Sequence, residues 1–439
     1  MAGIFKAYDI RGVVGETLTS EIATSIGRAF VDFLGARRVV IGRDMRTHSP
    51  AMFEAVAAGV RMQGADVIDV GLCSTPMCYF ANGRLGADGS IMITASHNPG
   101  EWNGMKMCRE AAIPISGPSG IEAIEQRVLA GHFVAPAATP GALTRHDIAS
   151  DYAAHVKGFA SFRRPLRLAV DYANAMGIVE ARALAGLYDE VALFDELDGS
   201  FPNHEANPLD VETLEPLQHL VRKGGFDFGI AFDGDADRVG FVDERGEVVP
   251  MDLITALIAQ AMLRDRPGRI FHDLRSSKAV REVIEEAGGE ALMSRVGHAF
   301  IKQQMREADA LFAGELSGHY YFRENYFAES SALAVVFIGN LVSASGQPLS
   351  ALVAPLRRYA PSGEINSKVA DVNAVFARLR AAYPQARFFE LDGLSAEFED
   401  WWFNVRASNT EPLVRLNLEA PNAAAMARRR DEVLQLIRQ

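Results

Sequence analysis

The sequence predicts an α/β protein with three topologically similar mixed α/β domains and a smaller C-terminal α+β domain around a central cleft. Two features of the whole chain support several domains. Its 439 residues exceed the roughly 250 to 300 residues at which single cores stop growing. Its residues are 49% hydrophobic and 23% charged, a balance typical of packed globular domains. A third observation, a repeated order of strand-like segments, predicts how many of the domains are alike.

Strand-like apolar segments occur in three successive triplets. The first triplet is "VVIGRDMR", "ADVIDVG" and "SIMITASHN"; the second is "LRLAVDYANAMG", "EVALFDELDG" and "FDFGIAFDGDADR"; the third is "RIFHDLRSS", "EALMSRVGH" and "ADALFAGELSGH". Helical patterns lie between the segments, and short strands that alternate with amphipathic helices indicate βαβ crossovers. Each triplet therefore predicts one domain with a mostly parallel sheet.

The segment "SPAMFEAVAAGVRMQG" illustrates the predicted helices. Ser49 is the predicted N-cap, because serine side chains accept hydrogen bonds from free N–H groups at a helix start. Pro50 suits the first turn, and Gly64 suits the residue at which the helix stops.

The C-terminal part of the chain has a different pattern. "FFELDG", "LSAEFEDWWFNVRASN" and "LVRLNLEA" resemble alternating strands, and "NAAAMARRRDEVLQLIRQ" resembles a helix. Proline-rich or turn-like segments mark the expected borders between domains. The predicted domains span residues 1–142, 143–246, 247–359 and 360–439.

Charge and composition exclude several functions. A net charge of −12 argues against a general nucleic-acid binder, which needs a basic face. No segment approaches the roughly 20 uninterrupted apolar residues of a membrane span, and the first residues lack the apolar core of a signal peptide. Three cysteines in no metal-ligand pattern fit free thiols in a reducing compartment. We therefore expect a cytoplasmic protein that binds neither nucleic acid nor membrane and is a monomer or a weak homo-oligomer.

The loop "DGDADR" (233–238, the aspartate loop) follows the third strand of the second triplet. Asp233, Asp235 and Asp237 stand at alternate positions and can converge on one hard divalent cation. Three carboxylates at the end of a buried strand would otherwise repel one another. Arg238 occupies the place at which a calcium loop requires glycine. The loop therefore predicts a magnesium site rather than a calcium sensor.

The loop "TASHNP" (94–99, the serine loop) follows the third strand of the first triplet. Because ligands bind outside the carboxyl ends of parallel strands, Ser96 and the aspartate loop can face one cleft. A hydrolase triad is weakly supported, since "G-x-S-x-G" and an acidic orienting residue are absent. Ser96 is better interpreted as the carrier of a phosphoryl group whose charge the metal offsets, with Lys106 as a nearby proton donor or acceptor.

Two further loops carry polar groups suited to a sugar phosphate. In "GELSGH" (314–319, the glutamate loop), Glu315 and Ser317 would point to the same side of an extended backbone and could bind two neighbouring sugar hydroxyls. "RASNTEP" (406–412, the arginine loop) combines Arg406 with small hydrogen-bond donors and suits phosphate. Taken alone, the glutamate loop is equally compatible with a capped turn, and the arginine loop is more typical of an ordinary Asx turn.

These loops, together with "FKAYDIRG" near the N-terminus, occur in an order that resembles the α-D-phosphohexomutase superfamily, and within it bacterial phosphomannomutase/phosphoglucomutase. The resemblance covers nearly the whole chain. It implies four domains around a central cleft and a phosphoserine, here Ser96, that donates its phosphoryl group to a hexose 1- or 6-phosphate. The resulting hexose 1,6-bisphosphate reorients and returns the other phosphoryl group to the serine.

The resemblance also implies a role for each site residue. The metal site would be Ser96, Asp233, Asp235 and Asp237 with Mg²⁺. Catalytic residues besides Ser96 would be His97, Lys106, Arg11, Arg238 and His319. Residues that contact the sugar phosphate would be Tyr8, Arg275, His298, Glu315, Ser317, Arg406, Ser408, Asn409 and Thr410. The implied cofactors are Mg²⁺ and the hexose 1,6-bisphosphate, and the implied partners are small sugar phosphates.

Alternatives of different classes stay open at this point. A metal-dependent sugar-phosphate phosphatase would use the same serine and aspartates, with water as the acceptor. A catalytically silent sugar-phosphate-binding regulator would show damage at Ser96 or the aspartates, and none is present. Phosphoglucosamine mutase is the third alternative. Leu316 stands where the aminosugar branch tends to have glutamine, which favours mannose or glucose.

Overall fold

The computed structural model describes residues 3–407 and 413–439. Its first sheet has the strand order β1-β5-β4-β2-β3-β6. The first-domain strands are β1 (Ile10–Val13), β2 (Arg38–Arg43), β3 (Asp66–Leu72), β4 (Gly89–Ile93), β5 (Trp102–Arg109) and β6 (Leu143–Arg145), and the helices are α1 (Ser20–Leu34), α2 (Ser49–Met62), α3 (Thr75–Leu85) and α4 (Glu122–Ala130). Because β6 pairs with β3, the first sheet extends three residues beyond the predicted border at 142.

The second sheet has the order β11-β10-β9-β7-β8 and the third the order β13-β12-β14-β15-β16. The second-domain elements are α5 (Ala149–Lys157), β7 (Arg167–Asp171), α6 (Gly177–Glu180), β8 (Asp189–Leu193), α7 (Glu215–Arg222), β9 (Phe228–Phe232), β10 (Val239–Asp243) and β11 (Val248–Val249). The third-domain elements are α8 (Met251–Asp265), β12 (Arg269–Asp273), α9 (Lys278–Glu286), β13 (Glu290–Ser294), α10 (His298–Ala308), β14 (Phe312–Gly314), β15 (Tyr320–Phe322), β16 (Ala328–Glu329), α11 (Ser331–Ser345) and α12 (Leu349–Val353).

The fourth domain is an antiparallel sheet with two helices, and its main strand path is β17-β22-β21-β20-β19 with β18 paired to β22. Its elements are β17 (Ala360–Pro361), β18 (Ile365–Lys368), α13 (Val372–Ala382), β19 (Arg387–Phe389), β20 (Leu394–Glu397), β21 (Trp402–Ala407), β22 (Leu413–Ala420) and α14 (Ala423–Ile437). The predicted fold class, three similar mixed α/β domains and a C-terminal α+β domain, is confirmed.

The first three sheets share one pattern of strand directions. In each, the first strand of the triplet lies between the other two and runs parallel to both. The next strand along the chain then returns antiparallel beside the third. The expectation of mostly parallel sheets was therefore wrong for the second and third sheets, each of which has two parallel pairings on one side and two antiparallel pairings on the other. The reason is that each chemically important loop is the turn of a hairpin rather than a crossover.

Helix α2 begins differently from the prediction. Its N-cap residue is His48, and Ser49 is the first helical residue. The Ser49 hydroxyl donates to Asp44 Oδ1 at 2.5 Å and accepts from Asn103 Nδ2 at 2.9 Å. The Ser49 hydroxyl is therefore occupied by Asp44 and Asn103 and does not cap the helix.

Packing joins the first three domains more closely than the fourth. One continuous apolar cluster contains residues of the first three domains, from Val40 to Leu356, whereas the fourth domain has a cluster of its own around Phe403 and Leu416. Among the described residues no single helix is long and apolar enough to cross a membrane, and only the bent pair of α11 with Leu349–Leu356 passes that test on length and composition. The fourth domain is thus a separately packed unit attached to the third.

Candidate active site

The serine, aspartate and glutamate loops meet at the carboxyl ends of β4, β9 and β14. Each contains a residue in the left-handed region, Ser96 at φ 52°, Ala236 at φ 58° and Gly318 at φ 84°, so each makes a sharp turn. A Cβ on Gly234 would lie 2.1 Å from the Ser96 carbonyl oxygen. The backbone N–H of Val239 donates to Gly318 O at 3.2 Å. Close backbone approach therefore holds the three loops in one cluster.

Ser96 lies at the centre of this cluster and is 1% exposed. Its hydroxyl donates to Asp233 Oδ2 at 3.1 Å and lies 3.2 Å from His97 Nδ1. Burial, followed by the charges of Arg238 and Arg11, lowers the pKa of His97 to about 2. The imidazole is therefore neutral, and the Ser96 proton has two acceptors within reach.

Arg46 holds the backbone of the serine loop, a role that the sequence did not predict. Its ion pair with Asp44 measures 3.2 Å, and both side chains are fully buried. Its terminal nitrogens donate to four backbone carbonyl oxygens, those of Ser96 (2.8 Å), Asn98 (2.6 Å), Pro99 (2.7 Å) and Trp102 (3.0 Å). The signal was present in "VVIGRDMR", where charged residues follow an apolar strand, but the carbonyl partners have no sequence signature.

The aspartate loop provides a carboxylate set that fits a divalent cation. Asp233, Asp235 and Asp237 are buried, and one oxygen of each lies within 4.8 Å of the others. Neither Asp235 Oδ1 nor Asp237 Oδ1 accepts a hydrogen bond from any described residue. Burial and the neighbouring carboxylates raise the pKa of Asp233 well above its usual range. Buried oxygens without donors and with like charges around them suit a hard cation such as Mg²⁺.

Lys106 is the one lysine in contact with this carboxylate set among the described residues. It lies on β5, the strand that returns from the serine loop, and its Nζ donates to Asp235 Oδ2 at 2.6 Å and to Asp237 Oδ2 at 2.5 Å. Burial lowers the pKa of Lys106, but the carboxylates outweigh this effect and raise it. Lys106 uses the Oδ2 atoms, whereas Asp235 Oδ1 accepts no hydrogen bond from a described residue and Asp237 Oδ1 faces His319 Nε2 at 3.3 Å.

Thr75 is a second residue that the sequence did not reveal. It is the first residue of α3. Its hydroxyl donates to Asp235 Oδ2 at 2.5 Å, and its N–H donates to Asp235 O at 3.0 Å. A helix of the first domain therefore supports the metal-site candidate of the second.

Arg238 and His319 connect the aspartate and glutamate loops. Arg238 Nε lies 3.7 Å from Asp233 and 3.2 Å from His319 Nε2. His319 Nε2 lies 3.3 Å from Asp237, and its Nδ1 lies 3.3 Å from Glu315. Burial lowers the pKa of His319, but Asp237 outweighs it and the pKa is raised to about 9.

Glu315 and Ser317 flank His319 at the rim of the cluster. The Ser317 hydroxyl lies 2.8 Å from His319 Nδ1. Glu315 is 2% exposed; Gly297 N–H donates to its Oε1 at 3.1 Å, and the Tyr321 hydroxyl donates to its Oε2 at 2.5 Å. Oε2 also lies 3.3 Å from His319 Nδ1, so Oε1 is the oxygen that keeps a lone pair for a ligand hydroxyl.

The predicted residues of the N-terminal motif lie beside this cluster. Arg11 donates to Asn98 Oδ1 of the serine loop and forms an ion pair with Asp9 at 2.8 Å. The Tyr8 ring packs edge-on against His298, with centroids 5.5 Å apart. Tyr8 therefore brings the first domain against the third.

The remaining predicted residues lie on the third and fourth domains. Arg275 forms an ion pair with Asp273 at 2.7 Å, and Asp273 also accepts from Leu316 N–H at 2.8 Å, so Arg275 adjoins the glutamate loop. Arg406 on β21 forms an ion pair with Glu364 at 2.7 Å and makes no hydrogen bond to the three clustered loops among the described residues. The predicted phosphate-contacting residues Ser408, Asn409 and Thr410 lie outside the described residues.

Comparison with known proteins agrees with this arrangement. The family described as phosphoglucomutase/phosphomannomutase matches four segments, α/β/α domain I at residues 2–135, domain II at 150–246, domain III at 250–359 and the C-terminal domain at 364–436. The chain is 42% identical to "Phosphohexose mutases" of Xanthomonas campestris pv. campestris over 445 residues, 99% of each chain. It is 40% identical to the phosphomannomutase of Salmonella montevideo over 448 residues, 99% of this chain and 98% of the relative.

A solved structure also resembles this chain. The phosphoglucomutase/phosphomannomutase family protein from Burkholderia thailandensis superimposes with a TM-score of 0.91 at 34% identity and covers 99% of this chain and 96% of that one. These relatives, together with the fold, define a mutase of the phosphotransferase class. The chain belongs to the phosphoglucomutase/phosphomannomutase family of the α-D-phosphohexomutase superfamily and is a phosphohexomutase.

Proposed function

We propose that this phosphohexomutase interconverts the 1- and 6-phosphates of mannose and glucose through a phosphorylated Ser96 and a hexose 1,6-bisphosphate. The phosphoserine Oγ–P bond breaks as a P–O bond to the sugar hydroxyl forms, and that hydroxyl loses its proton. The bisphosphate then reorients. Ser96 Oγ receives the other phosphoryl group, and the sugar oxygen that is left regains a proton.

One observation carries the proposal: a buried serine hydroxyl lies 3.1 Å from one of three buried carboxylates. An acyl-transfer serine would need a donor set for an oxyanion and a base held by an acid, whereas carboxylates next to the nucleophile would repel an oxyanion. A phosphoserine beside a carboxylate-bound cation has no such conflict.

Asp233, Asp235 and Asp237 are the residues that would hold Mg²⁺. When bound, the ion supplies positive charge that offsets the phosphoryl oxygens. The described side chains perform the other tasks. Arg238 contributes a fixed cation beside Asp233, and Arg46 keeps the Ser96 backbone in place. Lys106 is the candidate for the exchange of the sugar hydroxyl proton.

Substrate binding is assigned to residues around the rim. Glu315 and Ser317 would bind two neighbouring sugar hydroxyls, while Tyr8, Arg11, Arg275 and His298 would contact the sugar phosphate. Arg406 with Ser408, Asn409 and Thr410 would bind the phosphate that is not transferred. Arg406 supports this role through the planar fork that arginine offers to phosphate.

The carrier role of Ser96 is tested by Ser96→Ala. We expect turnover of glucose 1-phosphate to fall by at least about 10³-fold, because no other hydroxyl of the described residues donates to Asp233, with the thermal unfolding temperature retained. Mass spectrometry of the wild type should locate phosphate on the peptide that contains Ser96. Ser20→Ala, at the exposed start of α1, is the matched control. Undiminished turnover in Ser96→Ala would refute the proposal.

The same preparations separate the mutase from the phosphatase and the silent regulator. A mutase converts mannose 1-phosphate and glucose 1-phosphate to the 6-phosphates without net release of inorganic phosphate, whereas a phosphatase releases it. Because mannose and glucose differ only at C2, and the proposed contacts are to hydroxyls that both share, the two values of kcat/KM should lie within about 100-fold. A larger ratio would mean that another residue reads C2.

A further inference from the structure

We propose that Tyr321 is a positioning residue that holds the Glu315 carboxylate in the orientation that receives sugar hydroxyls. This inference rests on the proposed function of Glu315. Tyr321 is fully buried on β15, two residues beyond the glutamate loop, so it does not touch the substrate. It would act on affinity for the sugar through the single hydrogen bond that its hydroxyl makes.

The geometry links the two side chains directly. Ala313, two residues before Glu315 along the chain, pairs with Tyr321 across the β14–β15 hairpin, which places the phenol behind the loop. The Tyr321 hydroxyl donates to Glu315 Oε2 at 2.5 Å, its one hydrogen bond to a described residue. The Gly297 N–H donates to Oε1 at 3.1 Å. One donor on each oxygen fixes the plane of the carboxylate.

The charges of the two groups suit this bond. Burial raises the pKa of Tyr321 well above its usual range, so the phenol keeps its proton. Burial also favours protonation of Glu315, but hydrogen bonds and the charge of His319 outweigh it and lower the pKa to about 2. A hydroxyl that donates to a carboxylate in a buried site is a short, charge-assisted bond, stronger than a neutral one.

His319 makes the Tyr321 hydroxyl necessary. Its Nδ1 lies 3.3 Å from Glu315 Oε2 and 2.8 Å from the Ser317 hydroxyl. If Tyr321 did not donate to Oε2, the carboxylate could turn to meet the imidazole and would move away from a ligand hydroxyl. The Tyr321 hydroxyl therefore keeps the Glu315 carboxylate from turning further toward His319 of the same loop.

The first experiment compares Tyr321→Phe with Tyr320→Phe. Both tyrosines are fully buried, and each substitution removes only a hydroxyl, but the Tyr320 hydroxyl donates to Met251 O at 3.2 Å on α8, away from Glu315. We expect Tyr321→Phe to raise the KM for glucose 1-phosphate and mannose 1-phosphate alike by roughly 10-fold while kcat changes by less than about 3-fold. Tyr320→Phe should leave both constants within about 2-fold of the wild type.

The second experiment asks whether the effect passes through the sugar hydroxyls. The probes are 3-deoxy- and 4-deoxyglucose 1-phosphate. In the wild type each missing hydroxyl should lower kcat/KM, and in Tyr321→Phe the same deletion should cost several-fold less, because Glu315 is already misplaced. A general loosening of the core would lower kcat/KM for all substrates by the same factor, so this coupling separates positioning from stability.

The outcomes separate this inference from the function on which it rests. An unchanged KM in folded Tyr321→Phe, or an undiminished deoxy penalty, overturns the role of Tyr321 alone. Equal kcat/KM values for glucose 1-phosphate and its deoxy analogues in the wild type overturn the role of Glu315 and with it that of Tyr321. Retained turnover in Ser96→Ala overturns the phosphoserine mechanism, whereas a raised KM in Tyr321→Phe would still support this inference.

Discussion

The two terminal nitrogens of Arg46 donate hydrogen bonds to four carbonyl oxygens of residues 96–102, and its Nε lies 3.2 Å from Asp44 Oδ2 in an ion pair. Ser96 has a left-handed backbone, which costs a non-glycine residue roughly 1 to 3 kcal/mol and persists only where its surroundings determine it. The Arg46 guanidinium stabilises this backbone conformation through its hydrogen bond to the Ser96 carbonyl oxygen. It holds the Ser96 carbonyl group and three carbonyl groups that follow it, while the Ser96 hydroxyl donates to Asp233.

Arg46→Lys tests this clamp. An ammonium group has three N–H donors, whereas Arg46 serves four carbonyl oxygens, so at least one buried acceptor loses its partner, at about 1 to 3 kcal/mol. We expect urea unfolding to show a loss of about 1 to 3 kcal/mol and kcat to fall roughly 10²-fold as Ser96 shifts. Arg43→Lys is the control, because Arg43 is the last residue of β2, three residues before Arg46, and makes one 3.4 Å ion pair with Asp69. Equal kcat values for the two variants would count against the clamp.

Single residues show which parts of the site a sequence reveals. Ser96 and Asp233, Asp235 and Asp237 were predicted because they are reactive side chains that directly follow apolar strands, and the structure brings them within contact distance. Arg46 and Tyr321 were missed because their function lies in partners supplied by tertiary structure, backbone carbonyls in one case and a carboxylate from the neighbouring loop in the other.

Helix α3 shows the same contrast for a whole element. Its N-cap Ser74 accepts from Met77 N–H and donates to Glu180 at 2.5 Å, and Thr75 donates twice to Asp235. Strands and helices follow from hydrophobic periodicity, but periodicity does not show that the first turn of a helix in one domain will meet a loop of another. The sequence also did not predict that the strands after the three loops, β5, β10 and β15, pair antiparallel. Parallel and antiparallel buried strands have similar apolar sequences, so the pattern does not distinguish them.

Thr75→Val tests the support that α3 gives to the aspartate loop. Valine has nearly the same shape but no donor, so Asp235 Oδ2 would keep only Lys106 as a partner and the carboxylate would be less well oriented. Loss of a group that orients a metal ligand typically costs 10- to 100-fold in metal affinity. We therefore expect the Mg²⁺ concentration for half-maximal activity to rise by roughly 10-fold in metal-depleted enzyme. Thr24→Val on α1, whose hydroxyl donates to Ser20 O, should leave it unchanged, and an unchanged value in Thr75→Val would contradict the assignment.

Glu180 connects the first three domains into one body. It lies fully buried at the end of α6 in the second domain. Its carboxylate accepts from Ser74 of the first domain at 2.5 Å, from Tyr152 of the second at 2.6 Å and from Ala332 N–H of the third at 3.3 Å. In the fourth domain, Glu419 accepts from Lys278 N–H at the N-terminus of α9 at 2.9 Å. Three domains thus form the fixed platform of the serine, aspartate and glutamate loops.

Burial makes the stability of this platform depend on pH. It raises the pKa of Glu180 to about 7 from 4.5, although four hydrogen-bonding partners oppose the shift. Between these two values the folded state holds a proton that the unfolded state has released, so stability falls as pH rises. The favourable contribution is complete below pH 4.5 and lost once the pH has passed 7.

Glu180→Gln removes this titration and keeps the shape of the side chain. At pH 5 the folded variant and the folded wild type both carry a neutral group at residue 180. The difference between their free energies of unfolding in urea at this pH is therefore the reference value. From pH 5 to pH 8 the wild type should lose about 2 to 4 kcal/mol of unfolding free energy relative to the variant, since each pKa unit of the shift is worth 1.36 kcal/mol. Other groups that titrate in this range cancel in the difference between the two proteins. A difference that stays constant with pH would show that Glu180 is ionised in the folded protein throughout, and its three-domain contact would then be a buried charge that these hydrogen bonds alone stabilise.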